Sequence, residues 1–234
     1  MSTASFVRTA DPYRDTAVID VRAPRTNQAI VGSLSLVAVL TGWWPVFALL
    51  ALQLAVGLAF GRRYCVPCLL YFEVIQPRIG EGRLEDARPP RFANVIGLVF
   101  LGAASVAYAA GAAAIGAALG ALVAALALLA AATGLCVGCE MYRIGARLRG
   151  IRARGLARFD VGDVGELAEG TIVEFTHPLC SDCVELRERL ERAGETVRTV
   201  DVSVREDLAR KYGVAVVPTA VRLAADGRVL ARIA

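Results

Sequence analysis

Two long stretches of this 234-residue sequence lack charged side chains. No Asp, Glu, Lys or Arg occurs in residues 26–61 or in residues 92–139, which are runs of 36 and 48 positions. The whole chain is 56% hydrophobic, whereas a soluble globular domain is about 45–50% apolar and spreads its charges along the sequence. Each run exceeds the ~20 apolar residues of one membrane-spanning helix. The sequence therefore excludes an ordinary soluble domain and predicts membrane insertion.

Some residue types are scarce. Lys211 is the only lysine and His177 the only histidine, so the net charge of +4 is due almost entirely to arginine.

Residues 1–25 are polar and lack the apolar core of ~7–15 residues that a secretory signal peptide needs. We therefore expect residues 1–25 to form an N-terminal arm and the first apolar segment to be retained.

Each uncharged run is too long for a single span. A helix of 36 residues would be ~54 Å long, against ~30 Å for the hydrocarbon core of a bilayer. Breaks are predicted at residues 41–45, where Pro45 can begin a helix, and at residues 111–116, before a Gly-x-x-x-Gly pattern. The sequence thus predicts a four-helix membrane domain over residues 26–142, with spans near residues 26–42, 45–61, 92–110 and 115–135.

Arginines flank these predicted spans and are missing from the two predicted hairpin tips. They occur in the N-terminal arm, in the loop of residues 62–91 and in residues 143–158. By the positive-inside rule, both termini and the central loop are expected to be cytoplasmic. We assign residues 143–169 as a basic linker, for which a solvated helix is an equally good interpretation. Nucleic-acid binding is not expected, because the basic residues flank membrane spans.

All six cysteines occur in Cys-x-x-Cys pairs, and two pairs belong to an internal repeat. Residues 65–71 (Cys-Val-Pro-Cys-Leu-Leu-Tyr) match residues 136–142 (Cys-Val-Gly-Cys-Glu-Met-Tyr) at an offset of 71. Residues 22–25 (Arg-Ala-Pro-Arg) and 88–91 (Arg-Pro-Pro-Arg) open the two copies. Because the copies have the same orientation, a pseudo-two-fold axis along the membrane normal is expected.

The predicted topology places both pairs at one membrane face beside polar residues. These polar residues begin the first and third spans: Arg25, Asn27, Gln28, Arg91 and Asn94. Cations near a thiol favour the thiolate, which is both the nucleophile and the metal ligand. The amides have the alternative role of capping helices or bonding between them, and Gln53 is most simply an interhelical partner.

After about residue 159 the composition changes and predicts an α/β segment. Its elements follow the order β-α-β-α-β-β, with strands at residues 171–176, 196–202, 220–223 and 228–232 and helices at residues 184–192 and 205–212. Cys180-Ser-Asp-Cys183 lies between the first strand and the first helix. This context is typical of a thioredoxin-like redox motif.

Residues 170–234 resemble the thioredoxin family. Residues 172–175 (Ile-Val-Glu-Phe) lead into Cys180 and Cys183, and Val-Pro-Thr ending at Thr219 is similar to the family's cis-proline segment. The resemblance implies that Cys180 attacks, that Cys183 resolves the mixed disulfide, and that Pro218 packs against the disulfide and helps to dock substrate. Glu174 stands where the family keeps a buried acid that handles protons.

The segment departs from the family in several places. Ser181 and Asp182 replace the usual Gly-Pro, no tryptophan precedes Cys180, and the family's first strand, first helix and final helix are not found. We therefore expect a truncated thioredoxin-like domain. Asp182 is expected to oppose thiolate formation if it points at the sulfurs. Alternatives are a surface disulfide, which a reducing cytoplasm disfavours, and a zinc half-site made by His177 with the two cysteines.

Residues 20–145 resemble an uncharacterised bacterial four-helix membrane family that is catalogued as a domain of unknown function. The resemblance implies a multi-pass protein of the bacterial inner (cytoplasmic) membrane whose cysteine pairs belong to the membrane domain, and it implies no activity. It rests on four segments: Arg-Thr-Asn-Gln at 25–28, Arg-Tyr-Cys-Val-Pro-Cys at 63–68, Ala-Arg-Pro-Pro-Arg-Phe at 87–92 and Gly-Leu-Cys-Val-Gly-Cys-Glu at 134–140.

These features together predict a membrane-anchored thiol:disulfide oxidoreductase. Electrons would pass by disulfide exchange between the membrane-interface pairs and Cys180–Cys183. Cytoplasmic thiol proteins or small thiols are the expected partners, no cofactor is required, and a quinone or low-molecular-weight thiol is a candidate redox substrate. In the alternative, a zinc ion or iron-sulfur cluster bound by Cys65, Cys68, Cys136 and Cys139 staples the hairpins, and the thioredoxin-like domain acts as a separate redox or regulatory module. A transporter is disfavoured, because the predicted spans contain no charged residue.

Overall fold

A computed structural model describes residues 10–149, 158–165, 168–214 and 216–234. The first nine residues of the predicted arm and residues 150–157 of the predicted basic linker lie outside the described residues. The chain divides into two compact units. The helical unit consists of Asp11–Gly82 and Ala87–Tyr142, and the C-terminal unit contains Arg83–Asp86 and the described part of residues 143–234.

Four longer helices and several short elements make up the first part of the chain. The helices are α1 Arg22–Thr41, α2 Pro45–Phe60, α3 Val66–Leu69, α4 Gln76–Ile79, α5 Arg88–Ala109, α6 Ala113–Thr133 and α7 Val137–Arg149. A 3₁₀ turn at Arg62–Tyr64 precedes α3, and a π-helical turn at Leu70–Ile75 follows it. Two short strands are β1 Val18–Asp20 and β2 Leu84–Asp86.

The predicted break at residues 41–45 is confirmed. Helix α1 ends at Thr41, Gly42 takes a left-handed conformation at φ 70°, and Pro45 is the first residue of α2. The second break lies at residues 110–112, so Gly116 falls inside α6 rather than before it. In each half of the repeat, a helical hairpin is followed by a cysteine that immediately precedes a further helix. In the first half, the 3₁₀ turn at Arg62–Tyr64 lies between the hairpin and this cysteine.

The predicted four-span membrane domain is wrong. Among the described residues, only α5 and α6 are long and apolar enough to cross a membrane, and only 11% and 22% of their most apolar windows are buried. Helix α2 has 16 residues, which gives ~24 Å against the ~30 Å hydrocarbon core. Helix α1 begins at Arg22 and carries Arg25, Asn27 and Gln28 in its first two turns, so its polar start lowers the hydropathy of the whole helix.

Helix packing in this unit depends on small residues in α6. Helix α6 packs against α1 and α5, and α2 packs against α5. A Cβ atom at Gly120 would lie 2.4 Å from the ring of the fully buried Phe47. A Cβ at Gly116 would lie equally close to the Tyr108 ring. Both glycines of the predicted Gly-x-x-x-Gly pattern therefore allow aromatic side chains to approach the helix backbone.

The C-terminal unit is built on a four-stranded sheet. Its elements are α8 Val161–Val164, β3 Ile172–Thr176, α9 Ser181–Arg192, β4 Val197–Asp201, α10 Glu206–Lys211, β5 Thr219–Leu223 and β6 Val229–Arg232. The strand order is β4-β3-β5-β6, with β3 parallel to β4 and antiparallel to β5. From β3 onward the order of elements agrees with the predicted β-α-β-α-β-β, and α9 begins three residues earlier than predicted.

Strand β3 separates two apolar clusters. Ile172 packs with Leu186 and Leu190 of α9, whereas Val173 and Phe175 belong to a larger cluster that also contains Cys180 and Cys183 at the start of α9. Because side chains alternate along a strand, the two clusters lie on opposite faces of β3. Glu174 shares the face of Ile172, beneath α9.

We predict that Gly120→Ala destabilises the helical unit by about 1–3 kcal/mol, because the added methyl group overpacks against Phe47. Thermal unfolding of the detergent-solubilised chain, followed by far-UV circular dichroism, measures the effect. Gly102→Ala is the matched control, since a Cβ atom at Gly102 in α5 meets nothing within 4 Å. Equal stability of the two variants would contradict the close packing of α6.

Candidate functional site

Cys180 and Cys183 form a disulfide at the start of α9, with a Cα–Cα distance of 5.3 Å. Cys180 is the N-cap residue, and its sulfur accepts a hydrogen bond of 3.2 Å from the backbone N–H of Cys183. Both side chains have an exposed fraction of 0%. The first turn of a helix has unpaired N–H groups and a partial positive charge. In the reduced pair this environment stabilises a thiolate at Cys180.

The loop before Cys180 is ordered by His177. Its Nδ1 atom accepts a hydrogen bond from the N–H of Leu179 at 3.2 Å, and its carbonyl oxygen accepts one from the N–H of Cys180 at 2.9 Å. The ring is buried, with an exposed fraction of 8%. The imidazole therefore shapes the turn between β3 and α9.

Pro218 lies at the same end of the sheet as the loop that carries Cys180. Phe175 of β3 pairs with Thr219 of β5, so the residues after Phe175 and those before Thr219 leave the sheet at one end. The Val217–Pro218 peptide bond is cis. The Thr219 hydroxyl donates a hydrogen bond of 2.7 Å to the carbonyl of Val216 and holds this segment. The sheet register thus brings together two groups that the sequence singled out separately.

Glu174 is fully buried in the middle of β3. Among the described residues, neither of its carboxyl oxygens has a hydrogen-bond partner. Burial raises the pKa of this carboxyl to about 7, the positive charge of Arg187 on α9 opposes the rise, and the charge of Glu191 adds to it. A carboxyl with this pKa can gain or lose a proton near neutral pH.

Asp182, between the two cysteines, is paired with an arginine. Its Oδ1 atom forms an ion pair with Nη2 of Arg83 at 2.5 Å, and the same guanidinium contacts Glu185 at 2.8 Å. The two carboxylates raise the pKa of the Arg83 guanidinium. The negative charge next to the pair is therefore compensated by a residue of the segment Arg83–Asp86, which sequence reasoning missed.

The other two pairs are also closed as disulfides, with Cα–Cα distances of 5.1 Å for Cys65–Cys68 and 5.2 Å for Cys136–Cys139. In each, the first cysteine immediately precedes a helix. The Cys136 sulfur accepts a hydrogen bond of 3.3 Å from the N–H of Cys139, which is the arrangement found at Cys180. The three pairs thus share one local design.

A cavity of about 340 Å³ in the helical unit is lined by both cysteines of the first pair. Gln53 also lines it and directs Nε2 to the Cys65 sulfur at 3.5 Å. Gly57 allows this contact, because a Cβ there would lie 3.2 Å from the Cβ of Cys65. Arg62 at the same cavity donates hydrogen bonds to three backbone carbonyls of residues 12–18, and burial lowers its pKa to about 10.

Asn27 and Asn94 separate this cavity from a second one of about 250 Å³ that is lined by Cys136. Nδ2 of Asn27 donates a hydrogen bond of 3.1 Å to Oδ1 of Asn94, and both residues line both cavities. The Arg25 guanidinium lies against Gly134, two residues before Cys136. The structure therefore brings the predicted polar residues close to the cysteines, with the asparagines as an interhelical pair.

The alternative of one four-cysteine metal site is not supported by the placement of the donors. Within the part of the chain that the structure describes, no group of three or more His, Cys, Asp or Glu residues is arranged to hold a metal ion. Each pair is closed separately as a disulfide. The same finding applies to the zinc half-site of His177 with Cys180 and Cys183.

Comparison with known families gives one match. Residues 19–147 match the family described as "Domain of unknown function (DUF4395)". No curated protein and no solved structure matches the chain. The matched region covers more than half of the sequence and includes the first two cysteine pairs, whereas Cys180 and Cys183 lie outside it.

We predict that stability of the C-terminal unit depends on pH through Glu174. Its pKa is about 7 in the folded chain, against an ordinary value of 4.5. The fold therefore favours the neutral carboxyl, and this contribution is complete below pH 4.5 and is lost as the pH rises to about 7. The free energy of unfolding should fall by up to roughly 3 kcal/mol over this range, measured by pulse proteolysis of the oxidised chain in denaturant.

Glu174→Gln should remove most of this fall, because the amide does not ionise. Glu188→Gln makes the same chemical change at an exposed position of α9 and should leave the fall intact. An undiminished fall in the Glu174→Gln chain would show that another group is responsible.

Proposed function

The chain belongs to the DUF4395 family, whose description gives no activity, and we propose that it is a thiol:disulfide oxidoreductase whose reactive pair is Cys180–Cys183. The observation that carries this proposal is the disulfide at the N-terminus of α9, with Pro218 at the same end of the sheet. A structural disulfide needs no helix terminus, whereas a nucleophilic thiol gains from one.

The C-terminal unit is a thioredoxin-like domain in this proposal. Three features support the assignment: the order of elements from β3 to β6, the parallel β3–β4 and antiparallel β3–β5 pairings, and the cis peptide bond before Pro218 opposite the Cys-x-x-Cys loop. Glu174 fits the buried acid of such domains, since it is enclosed on the α9 face of β3.

The reaction is exchange of two electrons with a partner dithiol. A partner thiolate attacks the Cys180 sulfur, the Cys180–Cys183 bond breaks, and Cys183 leaves as a thiolate that takes up a proton. The second partner thiol loses its proton, attacks the partner sulfur of the mixed disulfide and releases Cys180. The partner gains a disulfide and is oxidised, and the chain is left with two thiols. The reverse sequence reduces a partner disulfide. Glu174 would exchange the Cys183 proton.

The helical unit supplies the second redox centre. Cys65–Cys68 and Cys136–Cys139 would exchange electrons with the Cys180–Cys183 pair through mixed disulfides, or with a small thiol or quinone in the cavities beside them. The Gln53 contact to the Cys65 sulfur supports this role, since a side-chain amide can donate a hydrogen bond to the sulfur of a disulfide or accept one from a thiol.

The hairpin of α5 and α6 would anchor the chain in the bacterial inner membrane. Both helices have the length and hydropathy for it, and Arg88, Arg91 and Arg143 flank the hairpin at its open end. By the positive-inside rule, that end and Cys136–Cys139 would face the cytoplasm, where thiol proteins and small thiols are the partners.

We predict that Cys180→Ser abolishes exchange, because the attacking sulfur is lost. The rate of insulin reduction with dithiothreitol as electron donor, measured on the full chain in nanodiscs, should fall to the uncatalysed rate. Cys183→Ser should instead accumulate mixed disulfides at Cys180, because the resolving thiol is missing. A Cys180→Ser chain with wild-type activity would refute the assignment of Cys180 as the attacking thiol.

The trapped partner in the Cys183→Ser chain also tests the internal relay. Peptide mass spectrometry should find Cys180 joined to one of the four cysteines of the helical unit: Cys65, Cys68, Cys136 or Cys139. If Cys180 is trapped on separate proteins alone, the relay between the units is wrong and the exchange activity stands.

A further inference from the structure

The segment Arg83–Asp86 belongs to the C-terminal unit, although more than fifty residues separate it from the rest of that unit in sequence. Leu84–Asp86 forms the short strand β2 and packs against α9. Leu84 and Asp86 are buried, with exposed fractions of 7% and 5%, and Glu85 between them is less buried. The segment is therefore an extended peptide with alternate side chains enclosed.

This segment is held at both sides of the reactive pair. The N–H of Leu84 donates a hydrogen bond of 2.9 Å to Oγ of Ser181, the residue after Cys180. The N–H of Val217, the residue before Pro218, donates a buried hydrogen bond of 3.2 Å to Oδ2 of Asp86. Arg83 adds its ion pairs with Asp182 and Glu185 of α9.

Exchange at the pair requires the segment or its neighbours to move. An attacking sulfur must reach a disulfide sulfur directly, and both Cys180 and Cys183 have an exposed fraction of 0%. The groups that contact Arg83–Asp86 lie next to Cys180 on one side and next to Pro218 on the other. A partner segment in the same place would bring its own cysteine to the pair.

We propose that the cleft between Ser181 and Val217 is a binding site for an extended peptide of the pattern basic–apolar–any–acidic, and that Arg83–Asp86 is its built-in occupant. The basic side chain, the N–H of the apolar residue and the acidic side chain each have a contact in the structure. Asp182 and Glu185 form ion pairs with the basic side chain. The Ser181 hydroxyl oxygen accepts a hydrogen bond from the N–H of the apolar residue, and the Val217 N–H donates one to the acidic side chain. Partner proteins reach Cys180 by displacing this occupant with a segment of like chemistry.

The binding site stands independently of redox activity, and its role in selecting partners rests on the proposed function. The test uses the oxidised full chain in nanodiscs and follows reduction of Cys180–Cys183 by dithiothreitol, read by mass spectrometry of the alkylated thiols. Arg83→Ala with Asp86→Ala should accelerate reduction roughly tenfold, because the ion pairs and one buried hydrogen bond that hold the segment are lost.

Glu85→Ala is the matched control within the same segment. The Glu85 carboxylate pairs with Arg143 at 3.4 Å, and the proposed pattern gives the side chain at this position no role. The reduction rate should therefore stay within about twofold of the wild-type rate, the range expected for loss of one partly exposed ion pair. Equal acceleration by Glu85→Ala and by the double variant would overturn the proposal.

A free peptide supplies the second measurement and shows that the double variant is folded. The peptide Gly-Arg-Leu-Glu-Asp-Ala, which reproduces residues 82–87, should slow the reduction of the double variant back toward the wild-type rate. The same peptide with alanine in place of Leu and Asp should have no effect. If neither the double variant nor the peptide changes the rate of reduction, the proposed binding site is wrong. If the peptide slows this reduction but the wild-type chain does not reduce insulin, the exchange function is wrong and the binding site stands.

Discussion

Backbone pairing along one buried strand decides where the groups of the candidate site lie. All five residues of β3 are buried, and the strand is hydrogen-bonded on one edge to β4 and on the other to β5. Its end at Thr176 leads into the cysteine loop, and its register with β5 fixes where the segment before Thr219 leaves the sheet. A shift of the register by one residue would move Glu174 to the other face and separate Pro218 from the pair.

The chain uses the same local design three times, a cysteine directly before a helix with its partner in the first turn, and varies the surroundings. The residue after Cys180 contacts the segment Arg83–Asp86, whereas Cys65 lines a cavity beside a half-buried glutamine and an arginine that donates hydrogen bonds to backbone carbonyls. Under the proposed function, these different surroundings would select peptides at Cys180 and small molecules at Cys65.

Local signals in the sequence were sufficient for much of the fold. The strands and helices after Phe159, the break before Pro45 and the close packing at Gly120 follow from alternation, turn residues and small-residue spacing. The number of membrane spans could not be predicted from the uncharged runs. The runs do not reveal that α1 begins at Arg22 or that α2 has only 16 residues. The contacts of Arg83–Asp86 could not be predicted, since its hydrogen-bond partners are 97 and 131 residues away in sequence and the four residues show no periodic pattern.

A redox titration of Cys180–Cys183 in the folded chain tests most directly whether this pair is reactive. The chain in nanodiscs is equilibrated with dithiothreitol buffers of stepped ratio, quenched by acid and read by mass spectrometry of the alkylated peptide. A redox-active pair should give one reversible two-electron transition, reached from the oxidised and the reduced side at the same potential. A pair that stays oxidised until denaturant unfolds the chain is a structural disulfide, and that result would contradict the proposed function.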